Sequence, residues 1–403
     1  MTYKVKINNI FIIFISFGIF IFPALPIGSG DINIEQLILW LFIFTFFFKN
    51  KIKVEKKFLL LIAFIIFEAI LIINSSHIEW LLHEANNVIP NKWHEMYGKR
   101  EITNFYKPIL QSLFQLVHIT ENFLVFFIAK NIYQKSDSHN NLLLNSLSCL
   151  LLFQLLVCFI QHFVLKIDRP YGSLDNTQNI GIIIFITIIL ISDRDNILLK
   201  ILILILSLTL LYLSNTKSAY ATFLILVILL YFKNIRFMKY LTYLTFTMNF
   251  TISVFFVILF KDAIISFFNI VFTNSFSLNL RFLMWSTSFL EIFNNSPFLG
   301  AYGRATEFPD SIIWYFLVSY GIIGLLIFIY FFHYLIKLNS IKVNLLIFIF
   351  FFQGFTYYGY MLNPVSYLWW FALGISYEET KFKNYLFNHG TLLHTRFKIS
   401  NSE

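Results

Sequence analysis

Charge is scarce in this chain. Asp, Glu, Lys and Arg make up 13% of its 403 residues, about half the share found in soluble globular domains, and that shortage excludes an ordinary water-soluble fold. Cysteine is scarcer still: Cys149 and Cys158 are the two in the sequence, and both fall inside one apolar run. Two such thiols support neither a disulfide framework nor a cysteine-rich metal centre, so they read as packing residues. Acidic residues number 21 against 30 Lys and Arg, and the resulting net charge of +9 is dispersed through short loops. Dispersed charge forms no continuous basic patch, which argues against nucleic acid as a partner. No internal repeat, low-complexity linker, P-loop, dinucleotide fingerprint, HExxH motif or nucleophile elbow occurs. His77, His83 and His94 match no metal-ligand spacing. Neither a metal nor a cofactor is expected.

What the chain has in abundance is apolar length. Hydrophobic residues make up 58% of it, including 52 Phe, and the mean hydropathy is +0.73. A hydrocarbon core of roughly 30 Å is crossed by about 20 apolar residues in a helix, and runs of that kind recur from end to end. The alternating segments of a β-barrel are missing. The fold class predicted is therefore all-α, a polytopic transmembrane helical bundle. About twelve spans are expected, at 8–27, 34–48, 58–74, 108–129, 141–165, 179–192, 197–213, 218–232, 240–260, 311–336, 343–361 and 364–377. Pro364 suits the first turn of the last. Residues 10–22 follow Lys4 and Lys6, but Pro23-Ala24-Leu25-Pro26 is a poor cleavage site, so the segment reads as a first anchor.

The basic residues orient these spans. With the N-terminus inside, inner loops carry 20 of the 30 Lys and Arg, among them Lys49, Lys51, Lys53, Lys56 and Lys57; outer loops, though longer, carry 10. The positive-inside rule then selects an N-in, C-in arrangement. Residues 1–377 form one transmembrane catalytic domain, and 378–403 form a polar cytoplasmic tail. Two outer segments are long. Residues 75–107 hold Trp80, Trp93, Tyr97 and Tyr106 with mixed charges, as amphipathic structure at a membrane interface does. Residues 261–310, before the third-last span, contain a helix-like stretch over Leu278–Phe293 and a break at Asn294-Asn295-Ser296-Pro297.

On this topology Arg169, Lys217, Arg281 and Arg304 all face outward. Fixed cations at a bilayer surface suit an anionic lipid-linked substrate, since arginine forms bidentate, charge-assisted bonds with phosphate oxygens. Lys217 also opens a helix, whose free N–H groups favour an anion. Any one of them alone reads equally as a snorkelling interfacial cation. Asp310, Glu307 and Asp175 lie beside them as candidate general bases, with Glu291 more remote; Asp310 and Ser311 read also as a helix cap. Glu68, His118 and Glu121 fall in apolar runs, where ionisable groups are costly. His118 and Glu121, three apart, are expected to pair as polar glue. His162 lies near the outer end of the fifth span as a catalytic aid.

The order of several short motifs carries a resemblance. Arg281-Phe-Leu-Met-Trp285, Glu291, Ser296-Pro297-Phe-Leu-Gly300 and Gly321-Ile-Ile-Gly324 resemble the O-antigen polymerase and O-antigen ligase superfamily. Arg169-Pro-Tyr-Gly172-Ser-Leu-Asp-Asn176 is similar to its Arg-x-x-Gly stretch. Leu213-Ser-Asn-Thr-Lys217-Ser218-Ala is similar to its Ser-Arg-Ser/Thr-Ala element, with Lys replacing the usual Arg. The likeness covers about residues 160–330.

The resemblance implies an inverting, metal-independent glycosyl transfer at the periplasmic face of a bacterial inner membrane. It implies undecaprenyl-pyrophosphate-linked oligosaccharides and membrane lipids as partners, with a chain-length regulator as a protein partner. Arg169, Lys217, Arg281 and Arg304 would then bind the pyrophosphate, and Arg281, Asp310 and Glu307 would be the catalytic residues. Ligases of the superfamily carry a His at the entrance to the Gly-x-x-Gly span. Here that place reads Phe308-Pro309-Asp310-Ser311, which favours a polymerase over a ligase that would attach glycan to lipid A core. A flippase would need cations and broken helices deep in the spans.

Overall fold

The computed structural model describes residues 2–21, 26–27, 32–49, 55–74, 108–133, 138–174, 176–251, 297–300, 311–354 and 364–381. Among these residues the chain is helical apart from one two-residue antiparallel ladder, Pro26–Ile27 (β1) against Ile32–Asn33 (β2). The first helix, α1, runs over Thr2–Ile13, widens into a π-helical turn at Phe14–Gly18 and closes over Ile19–Ile21. The predicted 8–27 span therefore ends early, because Pro26 has no N–H to continue a helix and joins the ladder instead.

Next come α2 (Ile34–Lys49), α3 (Leu59–Asn74), α4 (Pro108–Tyr133) and α5 (Ser138–Phe159). The last of these is extended by a π-helical turn over Ile160–Val164. Four more follow closely: α6 (Thr177–Ile191), α7 (Ile197–Ser214), α8 (Lys217–Phe232) and α9 (Ile235–Phe250). After α10 (Ile312–Ile336) and α11 (Ile341–Gly354), residues 365–381 form α12. Each helix begins where the sequence breaks: Asn176, Asn196 and Asn234 cap α6, α7 and α9, each side chain accepting from backbone N–H groups of the first turn. α12 continues past Tyr377 to 381, with Glu379 and Lys381 in ion pairs with Lys342 and Glu55; residues 382–403 of the predicted tail lie outside the described residues.

Among the described residues three helices are long and apolar enough to cross a membrane: Asn141–Val164, Ile197–Ser214 and Ser319–Ile336. Several others are shorter and equally apolar. The outer surface has the same character. Leu37, Leu41, Phe44 and Phe48 on α2 are exposed, as are Leu152, Leu156, Phe159 and Phe163 on α5 and Leu198, Leu202 and Ile205 on α7. Apolar stripes of this length are untenable against water and suit lipid. Cys149 lies on this exposed surface, whereas Cys158 is buried; both are free thiols. Only Cys158 is thus the packing residue expected.

α6 is the centre of one half. It packs against α5, α7, α8 and α11, and every residue from Asn179 to Ile191 is buried. Its sequence is apolar all round, as a helix enclosed on every side must be. α12 joins the halves: the Trp369 indole donates to the Leu346 carbonyl of α11 at 3.1 Å, and Trp370 meets Phe123 of α4 edge-on with ring centres 4.9 Å apart.

Candidate functional site

Arg169 and Lys217, the two predicted cations among the described residues, sit at the same end of the bundle. Close helix approaches place them there. A Cβ on Gly181, near the start of α6, would stand 3.0 Å from the Ala219 Cβ at the start of α8 and 3.6 Å from Gln353 Nε2 near the end of α11. A Cβ on Gly354, the last residue of α11, would stand 2.8 Å from Ile312, the first residue of α10. The N-termini of α6, α8 and α10 and the C-terminus of α11 therefore converge, and the Arg169 and Lys217 loops lie at that end.

The Arg169 loop has a defined shape. Gln161, in the π-helical turn, accepts from the Tyr171 and Gly172 N–H groups through Oε1, both at 2.9 Å, and donates from Nε2 to the Gly172 carbonyl at 2.7 Å. Gln154, two turns earlier, accepts from the Ser173 N–H at 2.9 Å and donates to the Ser173 hydroxyl at 2.6 Å. Gly172 has φ +68°, and a Cβ there would strike the Gln154 side-chain oxygen at 2.1 Å; only glycine fits. Pro170 and Leu174 are buried, while Arg169 is exposed. His162 faces the loop too, its Nδ1 3.2 Å from the Ile167 carbonyl oxygen.

Lys217 is the first residue of α8, one earlier than the predicted helix start, and is exposed. Asn215 reverses the chain before it with a left-handed backbone, φ 47°. Asn tolerates that conformation better than most residues. Among the described residues neither Arg169 nor Lys217 is in an ion pair.

A third feature concerns two of the glycine-containing motifs. α10 is broken at Gly321, with φ 62° and ψ −165°. Into that break the turn Pro297–Gly300 is hydrogen-bonded: the Ile322 N–H donates to the Pro297 carbonyl at 3.0 Å and the Ile323 N–H to the Phe298 carbonyl at 3.2 Å. A Cβ at position 321 would lie 2.3 Å from the Phe298 oxygen and 2.6 Å from the Gly300 nitrogen. The Pro-x-x-Gly turn and the Gly-x-x-Gly segment, some twenty residues apart in sequence, are thus one substructure. Ser311 occupies the N-cap position of α10 but makes no capping bond with its side chain. Arg281, Arg304, Glu307, Asp310, Asp175 and Glu291 lie outside the described residues.

The opposite end is built differently. Glu55 receives Lys130 at 2.5 Å and Lys381 at 2.8 Å, and the Tyr377 hydroxyl donates to it at 3.0 Å. Lys342 bridges Asp193 at 3.2 Å and Glu379 at 2.9 Å. Burial pushes the Glu55 carboxyl up, but the hydrogen bonds and charges of Lys130 and Lys381 outweigh it and hold its pKa at about 2. For Lys381, burial acts downward and the Glu55 carboxylate more than restores it, raising the ammonium above its ordinary value.

Inside the bundle, His118 and Glu121 pair at 3.1 Å, as expected of polar glue. The glue reaches further than that pair. Trp40 of α2 donates to Glu121 at 2.6 Å, Gln36 lies 3.1 Å from His118, and the Tyr367 hydroxyl of α12 donates to the same carboxylate. Glu68 is wholly buried in α3, and among the described residues neither of its oxygens has a hydrogen-bond partner.

Gln154 and Gln161 were not singled out by sequence reasoning. The signal available was two amides seven residues apart in an apolar run, each of which must find partners when buried. Neither a protein-family model nor a curated protein matches the chain.

Proposed function

We propose that the chain is a multi-pass membrane glycosyltransferase that polymerises lipid-linked oligosaccharide repeat units, crossing the bacterial inner membrane about twelve times with both termini in the cytoplasm. The observation that carries this reading is the built loop beside Arg169, where buried Gln154 and Gln161 hold Tyr171, Gly172 and Ser173 directly after an exposed cation. Arg169, before α6, and Lys217, after α7, are exposed at one end of the bundle, and among the described residues neither is in an ion pair.

In the proposed reaction a hydroxyl of the acceptor sugar attacks the anomeric carbon of the donor glycan. The bond from that carbon to the pyrophosphate oxygen breaks, and the lipid pyrophosphate leaves with the electron pair. The cations stabilise charge developing on the leaving group. Asp310, or Glu307, takes the acceptor proton.

Arg281 tests the reading. In a strain lacking the native gene, Arg281→Ala should abolish polymer laddering and Arg281→Lys should reduce it severely, with normal membrane levels of both variants. Lysine keeps the charge but lacks the planar fork that holds two phosphate oxygens. Lipid A core carrying single repeat units should accumulate. Full-length polymer from Arg281→Ala sinks the proposal, and loss of the single unit as well indicates ligase activity.

A further inference from the structure

Two glutamines inside an apolar helix need a reason. Gln154 and Gln161 belong to a stretch with mean hydropathy 2.3, yet they are 1% and 7% exposed. Each buried amide would be costly without partners. Here all of their donor and acceptor sites in use serve a single short loop: three backbone N–H groups, one backbone carbonyl and one hydroxyl of Tyr171, Gly172 and Ser173. The helix side chains stand in for the partners this loop's backbone would otherwise find in water. The π-helical turn over Ile160–Val164 contains Gln161, and such turns, which insert an extra residue per turn, frequently mark functional sites.

The clamp acts on the stretch directly after Arg169. Pro170 fixes its own φ and is buried, Gly172 is held against the Gln154 oxygen, and the Leu174 N–H closes back on the Tyr171 carbonyl at 3.2 Å. A snorkelling arginine needs no such support, because its long chain finds the interface from a loose loop. An arginine that must meet a phosphate in one geometry does need it, since ordering the loop beforehand removes an entropy loss from binding.

We infer that Gln154 and Gln161 are positioning residues that hold the Arg169 loop in the conformation that binds an isoprenoid-linked pyrophosphate. This rests on the proposed function and adds to it two residues that never touch the substrate.

The test uses the full-length protein in phosphatidylcholine nanodiscs, with farnesyl pyrophosphate as the probe and hydrogen exchange over residues 165–176 read in parallel. Gln161→Met removes all three of its loop hydrogen bonds at nearly constant volume. It should speed exchange across Tyr171–Ser173 and weaken probe binding roughly tenfold, the scale on which supporting residues tune a site. Exchange in 365–381 should stay as in the parent, which excludes general unfolding. Gln161→Glu, which keeps the acceptor and loses the donor, should fall between. Arg169→Ala should weaken binding at least as much, and adding Gln161→Met to it should weaken binding no further, because the glutamine works through the arginine. Unchanged binding in Gln161→Met, or additive losses, overturns the clamp while leaving Arg169 as a ligand. Unchanged binding in Arg169→Ala, with exchange still accelerated in Gln161→Met, overturns the pyrophosphate reading at Arg169 and with it this inference, leaving a structural clamp only.

Discussion

The two ends of this bundle solve the same problem, closing short loops over apolar helices, by different means. At the Glu55 end the helices are tied by charge: Lys130 and Lys381 share one carboxylate, and Lys342 bridges two. At the Arg169 end the loop is fastened by uncharged groups, glutamine amides on backbone N–H and C=O. Among the described residues Arg169 and Lys217 make no ion pair. Exposed cations suit an anion arriving from outside, but the ion-paired end carries them too, at Lys233 and Arg236, so the loop built beside Arg169 is what distinguishes the two ends.

The sharpest contrast between the ends is an all-or-none one. In a cysteine-free background, Asp168→Cys and Ser218→Cys at one end should react with an impermeant thiol reagent added to cells with a permeabilised outer membrane. Asp195→Cys and Arg236→Cys, at the other end, should react only after the inner membrane is opened. Labelling of the second pair in intact spheroplasts would reverse the orientation and remove the site from the outer face.

A smaller but still severe effect is expected at the break in α10. Gly321→Ala sets a Cβ 2.3 Å from the Phe298 carbonyl oxygen at a position with φ +62°. The backbone strain alone costs about 1–3 kcal/mol, and the clash with a main-chain atom cannot be relieved by turning a side chain. The turn should undock, so polymer should vanish while the variant still inserts. Wild-type laddering from Gly321→Ala would mean that the docked turn is dispensable.

The gentlest effect concerns the ion-paired end. Because the Glu55 pKa is depressed from 4.5 to about 2 in the folded chain, its contribution to stability is complete above about pH 4.5 and is lost as pH falls towards 2. Thermal unfolding of the purified protein should therefore show a falling midpoint across that interval. Glu55→Gln should flatten that dependence and lower the midpoint at neutral pH, since it leaves Lys130, which is 3% exposed, without a counter-charge. Farnesyl pyrophosphate binding should survive the change. Loss of binding with Glu55→Gln would mean that the two ends are coupled, contrary to the division of labour drawn between them.

The elements were legible before any coordinates. The Ser-Asn-Thr break before Lys217 and the apolar runs on either side of it each depend on a few consecutive residues, whereas the capping roles of Asn176, Asn196 and Asn234 were not singled out. Local hydrogen bonding and the 3.6-residue period decide such features. The His118–Glu121 pair was legible for the same reason, its members being one turn apart. Its extension to Trp40 and Tyr367 was not, since those donors come from helices far away in sequence. The early end of α1 was missed because a continuous apolar run hid the effect of Pro23 and Pro26.

By itself, then, the sequence determined a chain of apolar helices, the polar breaks between them and the cations those breaks carry. Composition and short-range periodicity suffice for that. The count of breaks also put the Arg169 and Lys217 loops on one face; only the tertiary structure decided that Pro297–Gly300 docks into the Gly321 break and that two glutamines hold the Arg169 loop. Those facts depend on which helix faces meet. A buried amide announces in the sequence that it needs a partner, but which partner it finds is fixed by packing across the bundle.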